Sequence, residues 1–241
     1  MTGSIYLISD LHLDAARPEV TQAFASFLKA HKGAKALYIL GDLFEFWVGD
    51  DDDSALASEV KRLLKEFATA GPQLFLMHGN RDFLLGESFA SFCGATLLPD
   101  LTVLPWQERR ILLSHGDVFC TEDHEYQAFR TLARSSEWQQ QMLGQSLAAR
   151  RDLAQQLRSA SKHAGSRKAE DIMDVTASEV DAALIKHQCD AIIHGHTHRP
   201  SEHQHQHGER WVLGDWDRFA WWIELRDSSI DLNKKLINNN L

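Results

Sequence analysis

The stretch IYLISDLHLD, residues 5–14, carries the pattern that decides the fold: Ile5, Tyr6, Leu7 and Ile8 form a short apolar run, followed at once by Ser9, Asp10 and His12. A run of that length fits a buried strand, and its β-branched and aromatic members favour strand over helix. The same form recurs as ALYILGD at 36–42, LFLMHGN at 74–80, ILLSHGD at 111–117 and AIIHGHTH at 191–198. Five buried strands are therefore expected, each ending in a polar cluster. Between the first three, Val20, Phe24, Phe27 and Leu28, then Val60, Leu63, Leu64 and Phe67, recur at helical spacing. Strand alternating with helix predicts a largely parallel inner sheet with crossover helices. RWVLGDW at 210–216 and FAWWIEL at 219–225 follow one another too closely for a helix, which predicts added antiparallel β-structure. The expected class is α/β and layered, with room for two sheets.

A chain of 241 residues with 44% hydrophobic side chains can bury one large core, so a single domain over 1–241 is expected. Residues 124–180 break the strand–helix rhythm and predict a helical cap inserted into it. From Tyr126 to Lys168 eight basic side chains stand against two acidic ones, in a chain whose net charge is −9. The cap is basic on one side and carries Leu132, Trp138, Met142, Leu147 and Leu153 as an apolar stripe; an ordinary solvated helix pair explains the same composition. The overall charge excludes wholesale nucleic-acid binding, which needs an excess of Lys and Arg. Cys93, Cys120 and Cys189 are too far apart for a disulfide framework or a paired-cysteine zinc site. The first residues lack a signal-peptide pattern, and no window approaches the apolar length of a membrane span. A cytosolic protein is expected.

In open α/β sheets, ligands collect beyond the carboxyl ends of the strands. The residues there form a chemically coherent set: Asp10 and His12, Asp42, Asn80 with Arg81 and Asp82, His115 and Asp117, then His194, His196 and His198. One histidine at a strand end is ordinarily a hydrogen-bonded residue and nothing more, but five strand ends carrying ligand-type side chains reverse that reading. Oxygen and imidazole donors without thiolates suit Mn²⁺, Fe²⁺ or Zn²⁺. The ligand supply exceeds the needs of one four-coordinate ion and points to two. A pair of ions about 3.5–4 Å apart clamps a phosphoryl group in line and acidifies a water, which points to hydrolysis of a phosphate ester or anhydride.

The series DLHLD, GDLFEFW, GNRD, SHGD and GHTH, in that order over residues 8–199, resembles the calcineurin-like metallophosphoesterases. That resemblance implies a two-sheet sandwich flanked by helices. It also implies one metal on Asp10, His12 and His198, a second on Asn80, His115 and His196, and Asp42 shared by both, with His194 outside the direct ligands. Two Mn²⁺ ions would generate the attacking hydroxide.

One block departs from the general pattern, because Arg81 stands where a histidine is usual. A guanidinium cannot donate its proton near neutral pH but can hold phosphate oxygens in a fork and stabilise growing negative charge, so Arg81 reads as catalytic for a diphosphate. With Arg81, the segments ALYILGDLFEFWVGDD, DIMDVT, IHGHTHRP and VLGDWD resemble the branch of the family that cleaves UDP-2,3-diacylglucosamine in lipid A biosynthesis. The branch implies UMP and 2,3-diacylglucosamine 1-phosphate as products and a peripheral site on the anionic cytoplasmic face of the inner membrane. It implies substrate contacts at Asn80, Arg81, Asp123, Ser161, Gly165, Lys168 and His196. Gly165 departs from that branch, which commonly has Asn or Thr there, so only its backbone could contribute.

Other readings are a phosphoesterase for a dinucleoside polyphosphate, phosphoprotein or cyclic nucleotide, and a non-catalytic scaffold. A soluble substrate needs no apolar groove, and a scaffold would be expected to have lost ligands, whereas all seven stand. Trp216, Trp221 and Trp222 read as sheet core, and the alternation His203, His205, His207 as an exposed turn or hairpin, since it lacks acidic or thiol partners.

Overall fold

A computed structural model of the chain describes residues 3–165 and 174–237, of which 159–165 by backbone alone. Its strands are β1 (Ile5–Ile8), β2 (Ala36–Leu40), β3 (Gln73–Met77), β4 (Ala95–Leu98), β5 (Thr102–Trp106), β6 (Arg109–Leu113), β7 (Ala191–His194), β8 (Ser201–His205), β9 (Gly208–Val212), β10 (Phe219–Arg226) and β11 (Ser229–Leu236). Its helices are α1 (Pro18–Ala30), α2 (Ala55–Thr69), α3 (Glu87–Cys93), α4 (His124–Ala133), α5 (Ser136–Leu143), α6 (Leu147–Gly165) and α7 (Ala177–His187).

The five apolar runs are all strands, but they divide between two sheets. One sheet has the order β11-β10-β1-β2-β3-β4 and the other β5-β6-β7-β9-β8. The side-chain alternation explains the division. Ile5 and Leu7 of β1, Ala36, Tyr38 and Leu40 of β2, Ile111 and Leu113 of β6, and Ile193 of β7 meet in one cluster between the sheets. The intervening Ile8, Leu37 and Ile39 face outward, onto Phe24, Phe27 and Leu28 of α1 and Val60, Leu64 and Phe67 of α2. Leu112 and Ile192 face outward from the second sheet onto Val180 and Leu184 of α7. These inner strands are apolar on both faces because both sides of their sheets are covered where they lie. Full burial of one such side chain stabilises the fold by about 1.5–3 kcal/mol.

The expected antiparallel tail is corrected in part. β10 does lie antiparallel to β1, and β11 to β10. β9, however, pairs parallel with β7 in the other sheet and antiparallel only with β8. Gly214 and Asp215 let the chain pass from one sheet to the other, so closeness in sequence did not mean pairing. The histidine alternation falls on β8 and the turn into β9, a hairpin as expected, but the His205 side chain is largely buried and its Nδ1 lies 3.6 Å from Asp181 Oδ1, an acidic partner the sequence did not reveal. Trp216 is buried with α1, and Trp222 packs partly against the same cluster.

Helices α4 to α6 lie between β6 and α7 in the chain. Met142 is buried, and Trp138 and Leu153 pack partly against the core of the first sheet, whereas Leu132 and Leu143 are exposed. The arginines of this region are engaged inward. Arg130 pairs with Asp117 and Asp100, Arg150 with Asp51, Arg151 with Asp52 and Asp53, and Arg158 with Glu45. Much of the basic excess read from composition thus neutralises carboxylates of the main body.

Candidate active site

The segments leaving β1 and β2 run side by side. Asp10 N donates to Gly41 O at 3.1 Å, His12 N to Asp42 O at 3.0 Å and Leu13 N to Leu43 O at 3.0 Å. On the second sheet, Gly195 N donates to His115 O at 2.9 Å, tying the turn after β7 to the end of β6. Five residues of the expected ligand set take left-handed backbone: Asp10 (φ 54°), His12 (48°), Asp42 (52°), His196 (64°) and His198 (55°). For residues with a Cβ this costs on the order of 1–3 kcal/mol each, and such strain persists where surrounding bonds enforce it, typically at functional sites. Glycine makes the close approach possible. A Cβ on Gly195 would overlap Asp10 Oδ2.

The side chains meet in two groups that could each hold an ion, Asp10–His12–His198 and Asp10–Asp42–His115. His198 Nε2 lies 3.3 Å from Asp10 Oδ1 and 3.3 Å from His12 Nε2. His115 Nε2 lies 3.8 Å from Asp42 Oδ2. Asn80 Oδ1 is 2.8 Å from both His115 Nε2 and His196 Nδ1. The two groups share Asp10 and together take in five of the seven expected ligands; Asn80 joins them through His115, and His196 through Asn80. His194 is buried but turns its Nδ1 to Gly195 O, outside these groups.

The donor set fits divalent cations on a specific ground. His115 Nδ1 donates to Leu40 O at 2.9 Å, so in the neutral ring Nε2 is a lone pair, and it faces the lone pairs of Asn80 Oδ1. Two acceptors in contact require a positive charge between or on them. Asp10 Oδ1 and His12 Nδ1 are likewise buried with no hydrogen bond among the described residues. Burial would lower the His115 pKa, but the charges of Asp42, Asp10 and Asp117 push it up to about 9. Burial, reinforced by His115 and His198 and opposed by Asp117 and Asp10, drives His196 down to about 4. Asp42 is raised to about 7, chiefly by burial, with Asp82 and Asp10 reinforcing this and His115 and Arg81 opposing it. Asp10 is held well below the usual carboxylate range; burial opposes this, but the neighbouring His198, His115 and His12 rings outweigh it. A site that stores opposing charges in this way is poised for cations, whose own charge reorders it.

Arg81 reaches over Asp42. Its Nε lies 3.4 Å from Asp42 Oδ2, its backbone N donates to Asp42 Oδ1 at 2.9 Å, and its Nη1 donates to Glu45 Oε1 at 3.2 Å. Glu45 also accepts from Arg158 and lies 3.5 Å from His12 Nδ1. Beneath, Asp82 accepts backbone N–H bonds from Leu43 and Gly79 at 2.7 Å each and from Asp42 at 3.3 Å, fixing the two loops that carry Asp42 and Asn80.

The calcineurin-like phosphoesterase family profile matches residues 3–200. The chain belongs to the calcineurin-like phosphoesterase family. Among its curated relatives, the UDP-2,3-diacylglucosamine hydrolase of Cellvibrio japonicus (strain Ueda107) is 49% identical over 93% of this phosphoesterase and 96% of its own length. The protein of the same name from Chromohalobacter salexigens is 46% identical over 92% and 93%. A solved archaeal phosphodiesterase superposes on this phosphoesterase with a TM-score of 0.50, covering 97% of it and 99% of the archaeal chain at 12% identity, which speaks for the fold alone.

The phosphoesterase thus brings Asp10, His12, Asp42, Asn80, Arg81, His115, His196 and His198 into one volume. Asp123 caps α4 by accepting from Tyr126 N at 3.1 Å. Lys168 lies outside the described residues, and Ser161 and Gly165 fall in the stretch described by backbone alone. Two contributors were not read from sequence. Glu45, which holds Arg81 and Arg158, sits in the aromatic run FEFW and carries no motif of its own. Asp215, 3.8 Å from His198 Nδ1, lay within the quoted VLGDWD but had no assigned role.

Proposed function

We propose that this phosphoesterase hydrolyses the diphosphate of UDP-2,3-diacylglucosamine, giving UMP and 2,3-diacylglucosamine 1-phosphate. The observation that carries the reading is the convergence of Asp10, Asp42, Asn80 and four histidines beneath a guanidinium, in a chain whose full-length curated relatives bear that activity in their names. Asp10, His12 and His198 would hold one divalent ion, Asn80, His115 and His196 the other, and Asp42 both, with Mn²⁺ the proposed metal. When bound, such ions polarise phosphoryl oxygens and lower the pKa of a water.

The chain's own residues supply the rest. Arg81 is proposed to fork the diphosphate oxygens and stabilise the charge that grows as the bond from phosphorus to the bridging oxygen breaks and a bond from water oxygen to phosphorus forms. The UMP or lipid phosphate leaves as an anion, so the missing histidine at position 81 is tolerable. Glu45 holds Arg81 and Arg158 in place until substrate phosphate competes for them. Asp123, Ser161, Gly165 and Lys168 are proposed substrate contacts. The acyl chains are assigned to the apolar side of α4 to α6, where Leu132 and Leu143 are 53% and 45% exposed.

Among the described residues no helix is long and apolar enough to cross a membrane. We place the enzyme peripherally on the cytoplasmic face of the inner membrane, where a diacylated substrate resides. Mass spectrometry of the products formed in ¹⁸O-water tests the reaction. One ¹⁸O in either UMP or the sugar phosphate identifies the cleaved bond and the attacked phosphorus, and absence of both products refutes the assignment. Flotation with anionic and neutral vesicles tests the location: retention on anionic vesicles alone is expected, and failure to float with either would reject it.

A further inference from the structure

Helix α4 carries Tyr126 and Arg130 one turn apart, and Arg134 caps it one turn further on, so the three share a face. All three point at the floor of the site. Tyr126 Oη donates to Asp117 Oδ2 at 2.5 Å and Arg130 Nε to the same oxygen at 2.9 Å, while Arg134 Nη2 approaches it at 3.7 Å. Arg134 Nη2 also donates to Gly79 O at 3.2 Å. Gln127 Nε2 adds a bond to the Asp117 backbone carbonyl at 2.8 Å. The Tyr126 ring stacks on the His196 ring at 5.8 Å with an interplanar angle of 29°.

These contacts are not spread evenly over the site. Asp117 follows His115 by two residues, Gly79 immediately precedes Asn80, and the third contact is His196 itself. Asn80, His115 and His196 are the three side chains joined through Asn80 Oδ1. Among the described residues the other trio, Asp10, His12 and His198, makes none of these contacts with α4. It is held instead by Ser9 Oγ and His196 N on Asp10 Oδ2, at 2.5 and 2.9 Å, and by Trp216 N on Asp10 O at 2.9 Å.

We propose that Asp117 and Arg134 are positioning residues for one half of the dinuclear centre: α4 braces the Asn80–His115–His196 pocket and leaves the Asp10–His12–His198 pocket to the main body. Asp117 is a fully buried carboxylate whose charge is met by the helix, so its removal releases Tyr126 and leaves Arg130 held by Asp100 alone. Arg134 acts from the other side by fixing the carbonyl before Asn80. Neither group needs to touch an ion. Each sets where the ligand atoms stand, and partners of this kind typically change metal affinity by about 10–100-fold.

The inference rests on the dinuclear reading, and the wild-type chain separates the two: uptake of one Mn²⁺ per chain rather than two would defeat that reading before any variant is compared. The test is Mn²⁺ titration of the metal-stripped full chain, followed by electron paramagnetic resonance and calorimetry. The variants are Arg134→Met and Asp117→Asn, with Arg151→Ala as a control on a cap arginine that pairs elsewhere. Arg134→Met should weaken one of the two binding steps about tenfold or more, leave the other within twofold and lose the spin-coupled signal at one equivalent per chain. Arg134→Lys should recover part of the weak step, and Arg151→Ala should change neither. If Asp117→Asn does not fold, Arg134→Met alone decides. Equal weakening of both steps, or two unchanged steps in Arg134→Met, overturns the proposal.

Discussion

Gly79 lies directly against Asp42: a Cβ on Gly79 would overlap Asp42 Oδ1 and stand 2.7 Å from Asp42 Cγ. The backbone before Asn80 and the Asp42 carboxylate can therefore occupy neighbouring space only without a side chain. Gly79→Ala should push Asp42 out of position and lower kcat by about 100-fold, the scale expected for a displacement of about 1 Å at a reacting centre. The same Cβ would stand 2.4 Å from the Asp42 backbone N, so the melting temperature should fall as well. Full activity in Gly79→Ala would mean that Asp42 has room to move without consequence.

Asp42→Ala should abolish hydrolysis and lower bound metal, because both proposed ion positions lose a ligand. Chelation should stop the wild-type enzyme, and Mn²⁺ should restore it better than Mg²⁺, since an imidazole-rich ligand set suits Mg²⁺ poorly. Metal analysis beside the rate decides the point. Wild-type metal content with activity within tenfold in Asp42→Ala would remove this carboxylate from the centre.

Arg81→Ala should reduce kcat on the lipid diphosphate by about 10²–10³-fold, the usual effect of removing one group that stabilises transition-state charge. Arg81→His should also lose diphosphatase activity and gain a trace of phosphomonoesterase activity. The assay is parallel turnover of the lipid diphosphate and a simple aryl phosphate. Undiminished diphosphatase rates in both variants would leave Arg81 with no part in the chemistry.

Shortening the acyl chains should cost kcat/KM at about 0.8 kcal/mol per methylene that is buried. Salt should weaken the phosphate contacts and leave that increment nearly unchanged. Rates on deacylated, short-chain and long-chain UDP-sugars at low and high salt separate the two contributions. Equal rates on the deacylated and long-chain compounds would assign the apolar stripe to self-packing and favour a soluble substrate.

Arg150 is buried and its Nη1 donates to Asp51 Oδ1 at 2.7 Å, which holds the Asp51 carboxyl below its ordinary value of 3.8. A depressed carboxylate contributes stability above the unfolded value, and that contribution is lost as pH falls through the folded one. Asp51→Asn should therefore lower Tm at pH 7, and the gap from wild type should close below about pH 4. Melts at pH 7, 5 and 3 test this. A constant gap across the series would show that the pair contributes no charge-dependent stability.

The fold and the candidate ligand side chains were largely legible because they are local signals. Each apolar run of four or five residues is followed directly by ligand-type side chains, so Asp10, Asp42, Asn80, His115 and His196 are marked by position as well as by type. What escaped was relational. β9 follows β8 through a hairpin yet pairs parallel with β7, a choice made by the second sheet's open edge and not by any pattern in RWVLGDW. The cap arginines were readable as charge, but their engagement by Asp51, Asp52 and Glu45 depends on contacts across about a hundred residues of chain. Glu45 was invisible for the same reason: its partners Arg81 and Arg158 come from separate parts of the sequence.

The position of β1 has a consequence for biosynthesis. β1 lies between β2 and β10, and Trp216 N, just before β10, holds the carbonyl of Asp10. During translation β1 can pair with β2 early, yet its other side remains an open edge until residues 219–226 have left the ribosome. An edge with unpaired N–H and C=O groups is a site where nascent chains join wrongly. The loop bearing Asp10 and His12 acquires its last anchor only then, so a released fragment ending before Trp216 would be both inactive and prone to aggregate.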